Sequence, residues 1–174
     1  MLKANFITAQ EAAEKIQDGS TLCTIGMTLV SASESILKAI EKRFETVGHP
    51  ADITLVHSCG QSDRKDGIQH LAHEGLVKRI VGSHWGLQPR WMEMIANSQV
   101  EAYCLPQGQI AQLYRSMACG LPGKMSKVGL GTFIDPRVEG GKMNDRTKPL
   151  PDLVDILEYG GEEYMFYKEI PLDT

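Results

Sequence analysis

The sequence predicts an open α/β domain, a mostly parallel sheet with helices on both faces. Three observations carry that expectation. Short β-rich runs alternate with amphipathic helical stretches from the start of the chain to Gly120. The runs are short and apolar enough to suit a sheet covered on both sides. Four of them break into glycine-containing turns with polar residues, which a parallel sheet would gather along one edge. A doubly wound order with right-handed crossovers is the expected topology.

Thr8-Ala9-Gln10-Glu11 has the pattern of a capping box and starts a helix running through Ile16 to Asp18-Gly19. Ser20 to Ile25 reads as the first strand, ended by Gly26. Ser31 to Glu34 repeats the capping pattern. It opens a helix with Ile36, Leu37, Ile40, Phe44 and Val47 on one face and Gly48 as its C-terminal stop. Ile53 to His57 is a second strand, breaking into Ser58-Cys59-Gly60-Gln61. A short helix is expected over Ile68 to Leu76. Arg79 to Gly82 is a third strand, leading to Ser83-His84-Trp85-Gly86. Pro89 suits the first turn of a helix through Asn97. Val100 to Cys104 is the fourth strand. It runs into Leu105-Pro106-Gln107-Gly108, and a helix with Ile110, Leu113 and Met117 on one side follows. Val128 to Leu130 is a candidate fifth strand.

The chain from 1 to 174 reads as one domain, with a distinct tail over 150–174. There, Leu153 to Leu157 and Glu163 to Tyr167 form a hairpin pattern around Tyr159-Gly160-Gly161. A lone hairpin is marginal in water, so these strands are expected to need further chain or a partner.

Composition narrows the function. Net charge is −4, which gives no basic field for nucleic acid. No apolar run approaches the length of a membrane span. Met1 to Phe6 lacks the apolar core and cleavage site of a signal peptide, so a cytoplasmic protein is expected. Cys23, Cys59, Cys104 and Cys119 are scattered without a CxxC pair, which favours reduced thiols, mostly packed as small hydrophobes.

His70 and His73 lie three apart, but spacing marks no third ligand, so surface or capping histidines are expected and no metal. No GxGxxG, Walker A or GxSxG motif occurs. Gly26 could present backbone N–H groups to an anion or simply make a tight turn. His84-Trp85 could line a pocket or cap the core. Gln107 neither titrates nor attacks; it offers one acceptor and two donors on a short arm. It suits holding a carboxylate or carbonyl, unless it bonds its own turn.

Val77-Lys78-Arg79, Gly82-Ser83-His84-Trp85-Gly86, Pro106-Gln107-Gly108, Gly129-Leu130-Gly131-Thr132-Phe133-Ile134-Asp135-Pro136-Arg137 and Gly140-Gly141-Lys142 together resemble family I CoA-transferases. The likeness is greatest to the fused acetate/propionate enzymes. It implies a ping-pong reaction in which a glutamate attacks an acyl-CoA and passes through an anhydride and a glutamyl-CoA thioester. That glutamate belongs to a Ser-Glu-Asn-Gly or Glu-x-Gly motif in the family's β-type half, and no such motif in that context occurs here. Glu158 and Glu162 lie near glycines, but in the tail hairpin. The resemblance therefore implies an α-type portion with no catalytic nucleophile of its own.

Gln107, Gly108, Gly26, Ser58 and His84 are the expected substrate-binding residues, and the resemblance implies that Gln107 matches the family glutamine beside the catalytic glutamate of the other half. Ser58 falls where related ketoacid transferases place an asparagine. Gly26 matches the amino-terminal family signature, around which Ile25, Met27, Ser31 and Ser33 replace the usual Gly, Phe, Gly and Pro. Expected partners are an acyl-CoA, a small acetate- or propionate-like carboxylate and a β-type half or subunit, in an oligomer. Coenzyme A enters as substrate, and no separate cofactor is expected. A rival reading is a non-catalytic CoA- or carboxylate-binding remnant, or a scaffold for a separate β chain.

Overall fold

A computed structural model describes residues 5–174. Met1 to Ala4, part of the stretch read above for leader features, lie outside the described residues. The central sheet is parallel, in the order β1 (Thr21–Thr24), β2 (Ile53–His57), β3 (Val77–Gly82), β4 (Glu101–Cys104). That order has no reversal, so the sheet is not doubly wound. Leu22, Leu55, Ile80 and Ala102 are aligned across the four strands, and so are Cys23, Val56, Val81 and Tyr103. Side chains alternate along a strand, so the two rows face opposite sides.

The first row builds one core with α1 (Ala9–Glu14), α2 (Glu34–Val47), a 3₁₀ turn (Gly67–Leu71) and α3 (Pro89–Ala96). The second row packs under α4 (Gln107–Ala118) and a three-stranded antiparallel sheet. Helices therefore flank both faces of the parallel sheet, with the second face shared between α4 and the small sheet.

Local chemistry explains where elements start and stop. Both halves of the Thr8–Glu11 capping box form, at 3.2 Å to the Glu11 N–H and 2.7 Å from the Thr8 N–H. α2 starts later than its sequence pattern: Ser33 is the cap position, while Ser31 has φ +62° and belongs to the preceding turn. The expected helix over 68–76 shortens to the 3₁₀ turn. The Ile68 carbonyl accepts instead from Trp91 Nε1–H at 2.8 Å, which withdraws it from a helical ladder.

The candidate strand at Val128 to Leu130 is a turn. The strand in that region is β5 (Gly123–Ser126), which pairs antiparallel with β7 (Glu162–Lys168), itself paired with β6 (Val154–Tyr159). The tail hairpin thus finds its third strand within the chain. Val154, Met165 and Tyr167 are buried in the second core, which supplies the apolar burial an isolated hairpin lacks.

The Gly129 to Gly141 stretch folds back as a set of tight turns around Asp135. Its buried carboxylate accepts from the N–H groups of Gly131 (2.9 Å) and Arg137 (3.0 Å), and from Arg137 Nε (2.9 Å) and Nη2 (2.8 Å). The Arg137 guanidinium in particular holds this carboxyl below the usual carboxylate range. The stretch ends against the outer edge of β4. Cys104 N–H donates to Gly141 O (2.7 Å) and Met143 N–H to Ala102 O (2.9 Å). Gly141 has φ +72°, and a Cβ there would sit 2.5 Å from the Cys104 carbonyl, so this approach requires glycine.

Candidate functional site: a rim of strand-end turns

The four parallel strands deliver their carboxyl ends to one side, and the turns that follow are fastened to one another. Thr28 N–H donates to Gly60 O (2.9 Å) and Gln61 Nε2 to Thr24 O (2.8 Å), joining the turns after β1 and β2. The Gln88 amide, oriented to satisfy both neighbours, accepts from Gln61 N–H (3.1 Å) and donates to Trp85 O (3.2 Å). Gly60 N–H points at His84 Nε2 at 3.4 Å, which leaves Nδ1–H as the proton-bearing nitrogen. Leu105 N–H donates to Gly82 O (2.9 Å) and Cys104 Sγ to Ser83 O (3.1 Å), joining the turns after β3 and β4.

Beneath this rim His57 is fully buried. Its Nδ1–H donates to Cys59 O at 2.9 Å, and Trp85 lies edge-on to it at 6.0 Å and 87°. Burial pushes its pKa down to about 4, so the ring is neutral and Nε2 carries the lone pair. Gly82 packs against it so closely that a Cβ would lie 2.4 Å from Cε1 and Nε2. Thr24 Oγ1, His57 Nε2, Gln61 Oε1, Ser83 Oγ and Trp85 Nε1 are buried here without a partner among the described residues. Such atoms concentrate where function holds a structure away from full satisfaction.

Gln107 and Gly108 open α4 in exposed positions, and no side-chain cap bond forms at this helix start. His84 is exposed at the next turn and Ser58 is half-buried. Tyr114 of α4 lies beside Ser58 and Cys23, with its phenol pKa raised by burial. Gly26 has φ +147°, and a Cβ would meet Val30 O at 2.9 Å, so the turn itself accounts for glycine there. An apolar pocket of about 390 Å³ adjoins the rim, lined by His84, Trp85, Met92, Ile95, Cys104 and Met143 among others. Trp85 thus lines this pocket while packing in the first core. Burial also pushes the Cys104 thiol up to about 11, which keeps it protonated and unreactive.

The sequence picked out the rim's exposed members and missed its fasteners, Gln61, Gln88 and His57. One signal for the last was available: a histidine ending an otherwise apolar strand, with a glycine ending the next.

His70 and His73 face carboxylates from α2. His70 contacts Glu34 (2.8 Å) and Glu41 (2.5 Å), and His73 contacts Glu41 (2.9 Å). Glu34, Asp66 and His70, and separately Glu41, Glu45 and His73, bring possible ligand atoms within 4.8 Å of one another. Lys38 already bridges Glu34 (3.0 Å) and Asp66 (3.3 Å), and Arg90 lies 3.5 Å from Glu41, so these groups read as an ion-pair network. Glu158 and Glu162 sit in the β6–β7 hairpin, where Glu162 is paired with Lys127 at 2.6 Å. No helix among the described residues is long and apolar enough to cross a membrane.

Known proteins resemble this arrangement closely. Caffeate CoA-transferase of Acetobacterium woodii is 43% identical over 172 residues, covering 98% of this chain and 32% of that protein. Acetate CoA-transferase YdiF of Escherichia coli (strain K12) is 38% identical, covering 96% of this chain and 32% of its own length. The crystal structure of the acyl-CoA transferase YdiF from E. coli O157:H7, a thioester complex with CoA, superposes with a TM-score of 0.89 at 37% identity. It covers 96% of this chain and 33% of that one. The chain spans about a third of the length of these relatives. The family described as Coenzyme A transferase matches residues 6–173, and the chain belongs to that family as an α-type portion.

Proposed function

We propose that this chain supplies one wall of an acyl-CoA:carboxylate CoA-transferase site, acting on short acetate- or propionate-like acids, with the nucleophilic glutamate brought by a β-type part. One observation supports this most: Gln107 is exposed and free of its own turn, on a rim whose other turns are fixed by hydrogen bonds. Its amide N–H groups can hold a substrate carboxylate or the oxygen of a tetrahedral intermediate while the glutamate reacts. Nδ1–H of His84 offers a second donor, and Gly108 leaves the helix start open, since nothing lies within 4 Å of where its Cβ would be. The apolar pocket beside His84 gives the acyl arm room outside water. Coenzyme A is a substrate in this scheme, and the working enzyme is an oligomer in the cytoplasm.

The test is CoA exchange between acetyl-CoA and propionate, by the chain alone and by the chain co-expressed with the part of the Acetobacterium woodii enzyme that it does not match. The chain alone should be inactive and the pair active. Gln107→Ala should lower kcat of the pair by about 100-fold, the usual effect of removing one oxyanion donor. Turnover by the chain alone, or undiminished exchange by the Gln107→Ala pair, would refute the assignment.

A further inference from the structure

His70 lies in the 3₁₀ turn between β2 and β3, with each ring nitrogen facing a carboxylate of α2. Nδ1 lies 2.5 Å from Glu41 Oε2, and Nε2 lies 2.8 Å from Glu34 Oε1. The side chain is only 13% exposed. A carboxylate can only accept, and a neutral imidazole carries a single N–H. Both contacts are hydrogen bonds at once only when the ring holds two protons. Loss of one proton sets a nitrogen lone pair against an anionic oxygen.

The other charged groups around the ring do not lift this requirement. From α2, Lys38 pairs with Glu34 (3.0 Å), and Glu45 lies near Glu41 and His73. From the turn's own segment, Asp66 stands 3.4 Å from Nε2, and His73 Nε2 meets the second Glu41 oxygen at 2.9 Å. From α3, Arg90 lies 3.5 Å from Glu41. Three carboxylates thus face His70. Partial burial opposes the ring's charge, but Glu41 and Glu34 outweigh it and raise the pKa.

The turn that His70 holds also supports a fastener of the rim. Glu34 Oε2 accepts from Gly67 N–H at 2.9 Å, so α2 grips the turn at a further point. Between the two grips, Ile68 N–H donates to Gln61 O at 2.9 Å. Gln61 in turn holds the turn after β1 through Thr24 O (2.8 Å). Ile68 and Leu71 are fully buried, so the turn stays anchored in the first core when its polar side is released.

We propose that His70, bridging Glu34 and Glu41, is a pH-operated clasp on the rim. With the ring charged, Gln61 is held in place; with the ring neutral, the turns after β1 and β2 loosen. The clasp acts on the rim itself, and only its effect on turnover rests on the CoA-transferase reading above.

The test measures amide hydrogen exchange by NMR, as protection factors corrected for intrinsic rates, with the His70 ring titrated in the same samples. From about pH 6 to about pH 9, either side of the histidine range, protection of the Ile68 and Thr28 amides should fall along the His70 titration. The fall should be about 10-fold, the scale of one charge-assisted hydrogen bond. The Cys104 amide, bonded to Gly141 O at the far margin of the sheet, should not change. Glu41→Gln separates a switch from plain support. Its amide N–H can meet the Nδ1 lone pair while its oxygen still accepts from His73, so a neutral ring bridges both partners. This variant should stay protected at both pH values, and His70→Gln should be unprotected at both. Wild-type protection that ignores the His70 titration, or an undiminished pH step in Glu41→Gln, would overturn the clasp. Circular dichroism checks each variant's fold; should one unfold, the wild-type titration still decides. In the co-expressed pair, CoA exchange should decline along the same titration, and less so with Glu41→Gln. Equal profiles from an active pair would overturn the effect on turnover. An inactive pair would count against the enzyme reading alone, because the protection factors report the clasp without turnover.

Discussion

Replacing Gly82 by alanine forces a methyl group into the space of the His57 ring. The new Cβ would lie 2.4 Å from Cε1 and Nε2 and 3.1 Å from Cδ2, well inside van der Waals contact. The ring has little freedom to retreat. Nδ1–H is tied to Cys59 O at 2.9 Å, and Trp85 stands edge-on behind it. Overpacking at a buried position costs about 1–3 kcal/mol, and straining the Cys59 bond adds about 1 kcal/mol. The expected loss is therefore roughly 2–4 kcal/mol, or a Tm lower by about 4–16 °C at this chain length. The assay is urea and thermal unfolding of Gly82→Ala, of His57→Ala and of the double variant, followed by circular dichroism. Removing the ring opens room for the methyl group, so the double variant should be more stable than the sum of the single losses by at least ~1 kcal/mol. Additive losses would refute the packing argument, because they would mean that the two residues do not compete for one space.

The two kinds of histidine should give opposite pH dependence. His57 is buried neutral, with its pKa lowered to about 4, so unfolding takes up a proton below the unfolded value near 6.5. Its stabilisation is complete above pH 6.5 and declines as pH falls towards 4, by roughly 3 kcal/mol. Unfolding free energies at stepped pH should show this acid-side loss, and His57→Phe should flatten it. His70 is shifted the other way: partial burial opposes its charge, but Glu41 and Glu34 outweigh that and raise its pKa. Its contribution is full below the unfolded pKa and disappears as pH rises through the folded one. His70→Gln should remove a decline in stability as pH rises above the unfolded value near 6.5, read from the same titration. Asp135→Asn should cost about 2–3 kcal/mol, because half-exposed Arg137 loses a charged partner and can turn to water. Limited proteolysis should then cut between Val128 and Met143. Gly141→Ala should cost about 2 kcal/mol or more through strain at φ +72° and contact with the Cys104 carbonyl, with faster hydrogen exchange at the Cys104 amide.

The parallel sheet was legible because β2, β3 and β4 are apolar runs closed by glycine and polar turns, and those turns met along one edge as their pattern implied. Long-range pairing was not legible. Nothing local to Gly123–Ser126 announces a strand, since its pairing is decided by β7, some forty residues away. Ser31 and Glu34 have the spacing of a capping box, yet the tertiary bond from Thr28 to Gly60 bends the chain into a left-handed turn first. At the rim, exposed polar residues such as Gln107 and His84 could be found from their place after a strand. Gln61 and Gln88 could not, because their task is to hold turns that are adjacent only in the folded chain.

The Gly141–Met143 segment, described above as an approach that requires glycine, also decides how the parallel sheet can grow. It occupies the outward-facing Ala102 carbonyl and Cys104 N–H of β4, and so ends the hydrogen-bonding ladder on that side. At the other side, β1 already takes Asp173 and Thr174 through the Thr21 carbonyl and the Cys23 N–H. Backbone of this same chain therefore lies along both margins of the parallel sheet, and a further strand could join at either only by displacing the segment already there.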